Sequence, residues 1–213
     1  MDGLDRLYGL AATYLRGFKE CEDYLGTVTG ERNNNPASLT FAQSDCTSVV
    51  AHMAPVAETA CDASHELVEA LLHHRDVLDW FQVYKTGDAV GKGKMDRTAV
   101  SLLAGPGAAF EPKHGRMGFY FLRDGVEYAP HAHAPREIYA VLSGTARYWT
   151  PDDGWVTRGA GDVIHQPSWQ WHAMTTCIEP VLILWAWIGD DLDTAPVLRE
   201  GDKGALSPGW RDI

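Results

Sequence analysis

From about residue 80 onward the chain is a succession of short apolar or alternating segments, each closed by glycine or proline. This pattern constrains the fold more than any other feature of the sequence. Strands are predicted over Val83–Lys85, Thr98–Leu103, Met117–Leu122, Glu137–Leu142, Thr145–Trp149, Trp155–Thr157, Asp162–Ile164, His172–Thr175 and Val181–Ile188. Between them stand Gly87, Gly91, Gly93, Gly105-Pro106-Gly107, Gly115, Asp124-Gly125, Ser143-Gly144, Asp153-Gly154 and Gly159-Ala160-Gly161. Many short strands at even spacing with turn residues between them are the mark of a β-sandwich or a small barrel.

The first 80 residues read differently. Leu4, Leu7, Tyr8, Ala11, Leu15 and Phe18 recur at helical spacing, with Asp2 placed as an N-cap. A second helix is expected after Ser44 or Asp45, with Cys46, Val49, Val50 and Met53 on its apolar face and Pro55 ending it. A third is expected from Ser64 to His74, carrying Leu67, Val68, Leu71 and Leu72. The Asn- and Pro-rich stretch 30–36 predicts a loop, and 87–94 a mobile linker or lid. The chain is thus expected to be mainly β: a helical extension over 1–95 packing on a barrel over 96–213.

Composition excludes several classes of function. The 213 residues carry 18 Lys and Arg against 29 Asp and Glu, a net charge of -11. Such a chain, with no basic run, is unsuited to gripping nucleic acid or anionic lipid. The longest apolar run, Val181–Ile188, falls far short of the roughly 20 residues that span a bilayer. The opening Met-Asp-Gly-Leu-Asp has no basic region before an apolar one, so no signal peptide and a cytoplasmic location are expected. Cys21, Cys46, Cys61 and Cys177 form no Cys-x-x-Cys pair and read as free thiols. Eight tryptophans are the unusual entry in the composition, crowded towards the C-terminal half.

Chemistry concentrates between Gly125 and His172. His131 and His133 are two residues apart, so on an extended segment they face one side; Glu137 and Tyr139 repeat that spacing beyond Pro135. Two imidazoles and a carboxylate aimed into a barrel suit a divalent transition metal, and His172 on a later strand is the candidate for a fourth ligand. The alternative is that these histidines only pack.

The same run resembles the first motif of the cupin superfamily, G-x5-H-x-H-x3,4-E-x6-G, at Gly125, His131, His133, Glu137 and Gly144. The second cupin motif, G-x5-P-x-G-x2-H-x3-N, is matched at Gly161, Pro167 and His172, with Trp169 standing where glycine is usual and Thr176 where asparagine is usual. The resemblance covers roughly residues 97 to 190. It implies a cupin double-stranded β-helix, a small barrel with one divalent metal inside: iron, manganese or zinc, with cobalt or nickel also accommodated.

The surroundings narrow the resemblance. His133-x3-Glu137-x-Tyr139, preceded by Tyr128, followed by a Trp-rich second motif and led by a helical extension, looks like the cupin dimethylsulfoniopropionate lyases, the DddL type most closely. Members split this zwitterion into dimethyl sulfide and acrylate. The resemblance implies a carbon–sulfur lyase in which His131, His133, Glu137 and His172 hold the metal. Tyr128 matches a proposed base, and Tyr139 a tyrosine that approaches or ligates the metal. A sulfonium offers no conventional hydrogen-bond donor, so an aromatic wall is its natural receptor. Tyr120, Trp149, Trp169, Trp171, Trp185 and Trp187 are the candidates, with Trp169 and Trp171 foremost because they flank His172, and His165 is read either as orienting the substrate or as a structural histidine. Tyr128 is expected as the base because a metal-bound Tyr139 would have its lone pairs engaged. Two other readings compete: another metal-dependent cupin enzyme, a dioxygenase or isomerase, and a non-enzymatic small-molecule-binding cupin. The apolar helical extension is compatible with a homodimer.

Overall fold

The computed structural model describes residues 2–33, 46–84 and 96–199. The predicted 87–94 linker, residues 34–36 of the predicted 30–36 loop and the start of the second helix at Ser44 or Asp45 lie outside these residues; in the described part of that loop Glu31 and Arg32 form a short strand instead, paired with Glu111 and Phe110. Among the described residues the helices are α1 (Gly3–Arg16), α2 (Glu22–Val28), α3 (Thr47–Val50) and α4 (His65–His74). The strands are β1 (Glu31–Arg32), β2 (Trp80–Phe81), β3 (Thr98–Ser101), β4 (Phe110–Glu111), β5 (Gly115–Leu122), β6 (Glu127–Ala132) and β7 (Arg136–Ser143). They continue with β8 (Thr145–Thr150), β9 (Gly154–Gly159), β10 (Val163–Gln166), β11 (His172–Thr176), β12 (Val181–Ile188) and β13 (Val197–Leu198).

The barrel strands form two antiparallel sheets. One runs β10-β7-β12-β5-β3-β2, the other β13-β6-β11-β8-β9, and β1 pairs separately with β4. This is a cupin barrel with an N-terminal helical layer. The apolar run of β12 is explained by burial on both sides. Leu182, Leu184, Ala186 and Ile188 join the cluster shared with the helices, while Val181, Ile183 and Trp185 join the barrel interior. The outer face of the six-stranded sheet also presents Phe119, Phe121, Ile138, Ala140 and Leu142 to Leu7, Leu15, Met53 and Leu71. Helix α1 begins as its sequence dictates, with the Asp2 carboxylate accepting from the Asp5 amide at 2.8 Å.

Three other local expectations are corrected. The second helix is only the single turn α3, followed by a 3-10 turn over Ala54–Ala57 that takes Pro55 into its start. A proline fits a first turn because no amide donor is required there. The strand predicted at Val83–Lys85 forms earlier, at β2, where Trp80 and Phe81 pair with Ser101 and Val100. The segment before the first histidine is a full strand, β6, whose internal Pro130 weakens its signature in sequence.

The motif glycines sit at turns. Gly144 closes the β7–β8 hairpin at φ +78°, and a Cβ there would lie 2.1 Å from the Pro180 carbonyl oxygen. Trp169, in the place of the usual motif glycine, keeps the left-handed backbone at φ +59°. The departure in sequence therefore leaves the turn intact, and a tryptophan carries a conformation that glycine adopts freely.

Candidate metal centre

Three strands assemble the cluster. His131 on β6 and His172 on β11 are register partners, so their side chains leave neighbouring backbones on the same face. His133 follows β6 by one residue, and Glu137 enters from β7 in the facing sheet. The ligand nitrogens of His131, His133 and His172 lie within 4.8 Å of one another. Glu137 Oε2 is 3.0 Å from His133 Nε2 and 3.5 Å from His172 Nε2. All four side chains are 1–4 % exposed.

The histidines are oriented from behind. Nδ1 of His131, His133 and His172 lies 3.0, 3.0 and 2.9 Å from the carbonyl oxygens of Ala129, Pro135 and Gln170. A carbonyl only accepts, so each Nδ1 carries the proton and each Nε2 turns its other edge to the cluster. Metal-ligating histidines are held in this way. His172 Nε2 is buried and makes no well-formed hydrogen bond, with Glu137 Oε2 at 3.5 Å, the state expected of a nitrogen whose partner is a cation. The Glu137 carboxylate is fixed on its other oxygen by the Trp187 indole N–H at 2.6 Å.

Charge is balanced locally. Burial works against ionisation of Glu137, but His133 and His172 outweigh it and hold its carboxyl down at about 2. Burial opposes protonation of His133, and Glu137 reverses this, so the imidazole titrates above its ordinary value. The two form an ion pair in which His133 Nε2–H donates to Glu137. A divalent ion would replace that proton. The donor set of three neutral imidazoles and one carboxylate fits a borderline transition metal.

Tyr128 and Tyr139 share a cavity of about 100 Å³ with His131, His133 and Glu137, lined also by Phe81, Val100, Tyr120, Trp185 and Trp187. Tyr128 stacks on His131 with ring centroids 3.8 Å apart, and its hydroxyl lies 2.6 Å from that of Tyr84. Tyr139 stands edge-on to His172 at 6.5 Å. Burial pushes the phenols of Tyr120, Tyr128 and Tyr139 well above the ordinary tyrosine value, reinforced by neighbouring tyrosines and, at Tyr139, by Glu137.

The structure thus brings together His131, His133, Glu137, His172, Tyr120, Tyr128 and Tyr139. The other three expected residues are placed elsewhere. His165 pairs with Ile138, whose side chain faces the helical layer, and its ring meets Tyr24 edge-on at 5.8 Å. On a strand whose neighbours Ile164 and Gln166 turn inward, His165 must turn outward. Trp169 is 48 % exposed, and its amide donates to the His133 carbonyl at 2.8 Å. Trp171 lies under the guanidinium of Arg199 at 5.9 Å and is not among the described residues that line the cavity. Of the tryptophans, Trp185 and Trp187 are among the described residues that line the cavity. Their spacing of two repeats that of Glu137 and Tyr139, and their register partners are Tyr139 and Glu137 respectively. That spacing was the sequence signal for their shared inward face. Tyr84 has no comparable signal.

Fold and site together define a cupin with a buried three-histidine cluster suited to a metal ion, opening on an aromatic cavity. The profile of the dimethylsulfoniopropionate (DMSP) lyase family matches residues 32–183, and the chain belongs to that family. It is 34 % identical over 122 residues to the DMSP lyase DddQ of Ruegeria pomeroyi, a match spanning 57 % of this chain and 60 % of that protein. A chain from crystal structures of the DMSP lyases RdDddP and RnDddQII superposes with a TM-score of 0.77 at 25 % identity, covering 93 % of this chain and 98 % of that one. The crystal structure of DddQ from Ruegeria pomeroyi gives a TM-score of 0.74 at 25 % identity, covering 94 % of this chain and 98 % of that one. DddQ is named in each of these three matches, alongside DddP in one of them, and the DddL type is named in none of the three.

Proposed function

We propose that this protein is a metal-dependent carbon–sulfur lyase that cleaves DMSP to dimethyl sulfide and acrylate. The observation that carries the reading is the meeting of a buried metal-ligand set with two tyrosines in one aromatic cavity, in a chain of the DMSP lyase family. His131, His133, Glu137 and His172 are the residues that would hold the ion. When bound, a divalent ion supplies positive charge beside the substrate carboxylate and beside the phenols.

In this mechanism Tyr128, as phenolate, removes a proton from the carbon next to the carboxylate. The electrons of that C–H bond form the new C=C bond, and the C–S electrons leave with sulfur as neutral dimethyl sulfide. Acrylate remains, and Tyr128 holds the proton until solvent takes it. Burial, and after it the neighbouring tyrosines, oppose the phenolate, so the base depends on cationic surroundings. Trp185 and Trp187 offer π faces to the sulfonium, attraction worth about 0.5 to 2 kcal/mol per contact. Tyr139 would position the ion or the carboxylate. We place the protein in the cytoplasm and leave a homodimer as an expectation. Headspace gas chromatography after adding DMSP to metal-loaded protein tests the reading; dimethyl sulfide from the loaded protein and none from chelator-stripped protein is expected. No dimethyl sulfide from metal-loaded protein would turn the reading towards the other cupin enzymes.

A further inference from the structure

We propose that the apolar wall built by Phe81, Val83, Val100 and Leu102, across the cavity from the metal-ligand set, receives the S-alkyl groups of the sulfonium and limits their size. The inference rests on the reading of DMSP as the ligand of this cavity, and on no assignment of the base. The cavity has two unlike sides. Glu137 and Tyr139 line it from β7, with His131 and His133 beside them, whereas Phe81, Val83, Val100 and Leu102 line it from β2, β3 and the residues just after each. Between the two sides stand β12 and β5, in the sheet order β7-β12-β5-β3-β2. Phe81 pairs with Val100, Val100 with Tyr120, Tyr120 with Ile183 and Ile183 with Val141. All five belong to the barrel-interior cluster, so the inner faces of these strands are one surface.

The substrate has a matching polarity. Its carboxylate belongs with the metal-ligand set, and only two methylenes separate that carboxylate from sulfur. Neighbouring strands lie about 4.8 Å apart, so sulfur reaches no further than Trp185 and Trp187 on β12. A sulfonium is pyramidal. With one bond running back towards the carboxylate, its two alkyl groups point on, past β5, towards β3 and β2. The wall they meet carries no hydrogen-bonding side chain, as suits groups that neither donate nor accept. Arg116, which also lines the cavity, is turned to the Leu192 carbonyl and the Asp193 carboxylate, so its charge is compensated beside a cationic ligand. Phe81, Val100 and Leu102 are 7, 7 and 6 % exposed and packed with Tyr120 and Trp185. Side chains held in a packed interior yield little to added volume, and apolar pockets discriminate by about 10- to 200-fold per methylene. Phe81 and Val83 come from the chain before the barrel, so that segment takes part in substrate choice.

The test compares DMSP with its diethyl analogue, whose cleavage would release diethyl sulfide and acrylate. With metal-loaded wild-type protein, kcat/KM for DMSP should exceed that for the analogue at least tenfold. Phe81→Ala should narrow this ratio at least fivefold by improving the analogue, with metal content unchanged. Leu102→Ala is a smaller truncation of the same wall and takes its place should Phe81→Ala fail to fold. Val100→Leu adds bulk and should widen the ratio. An unmoved ratio in the folded truncations, beside wild-type protein that releases dimethyl sulfide, overturns the wall and leaves the lyase reading standing. Where wild-type protein releases no dimethyl sulfide, calorimetric titration with the two compounds decides. Tighter binding of DMSP that is levelled in Phe81→Ala upholds the wall and overturns the lyase reading alone; equal binding, or none, overturns both.

Discussion

The Glu137 carboxylate is the residue on which the site turns. It accepts from Trp187 on one oxygen and from His133 on the other. A carboxylate oriented from both sides has little to reorganise when an ion arrives, and outer-shell partners of this kind typically contribute 10- to 100-fold to metal affinity. Trp187→Phe should therefore weaken metal binding by about that factor while leaving the fold intact, as measured by competition with a chelator. His133→Ala and His172→Ala should abolish stoichiometric metal, read by elemental analysis. The pH dependence follows from the ion pair. His133 titrates above 6.5, so in metal-free protein it contributes stability below that value that is lost as pH rises through its raised folded value. Glu137 is depressed from 4.5 to about 2, so it contributes stability above 4.5 that is lost as pH falls through that range. Metal-free protein should thus be most stable between these limits. Metal affinity should instead climb about tenfold per pH unit up to the His133 value, since one proton leaves for each ion bound; calorimetric titration at two pH values checks it.

At the scale of elements, what the sequence revealed and what it hid follow one rule. Alternation marks which residues share a face, so His131, His133, Glu137 and Tyr139 were legible together, and β12 matched its predicted bounds. Alternation does not reveal which face is inward. His165 was therefore open until Ile138, its register partner, was seen to face the helices. Proximity along the chain also misled. Trp169 and Trp171 flank His172 in sequence, but the turn at φ +59° directs the Trp169 ring to solvent. Tyr84 reaches Tyr128 from 44 residues away, a contact that no local pattern carries. The turns allow a paired prediction. Gly144→Ala meets both the left-handed penalty of about 1–2 kcal/mol and a backbone clash at 2.1 Å, so thermal unfolding should show a loss above about 2 kcal/mol. Trp169→Gly relieves the same penalty but adds about 0.4–1 kcal/mol of chain entropy to the unfolded state, so its stability should stay within about 1 kcal/mol of the original.

For the whole molecule, the sequence divided the chain near residue 95 into extension and barrel, and the described residues bear on how separable those parts are. The outer face of the six-stranded sheet carries Phe119, Phe121, Ile138, Leu142, Leu182, Leu184 and Ile188, all buried in the cluster that α1 and α4 complete. Each large side chain gains about 1.5–3 kcal/mol on full burial. Losing the helical layer would withdraw stabilisation on the order of 10 kcal/mol, comparable with the 5–15 kcal/mol that holds a typical domain together. Hydrogen bonds cross the same boundary: the Tyr14 hydroxyl donates to the Val141 carbonyl at 3.1 Å, Ser64 to that of Leu142 at 2.6 Å, and Tyr24 to that of Glu137 at 3.2 Å. The last of these braces the backbone of a metal-site residue from a helix. We therefore expect a fragment of residues 96–213 to be unable to fold alone, although it contains all four presumed ligands. Expressed by itself it should be insoluble, or bind the dye ANS strongly without a cooperative melt, and should hold no stoichiometric metal. A cooperative transition with one ion per chain in that fragment would show instead that the barrel is independent and that the helices only cover it. Leu71→Ala in the full chain gives a graded version of the same test. Leu71 is 0 % exposed, and its truncation should cost about 2–5 kcal/mol in denaturant unfolding while metal stoichiometry in the folded protein is retained.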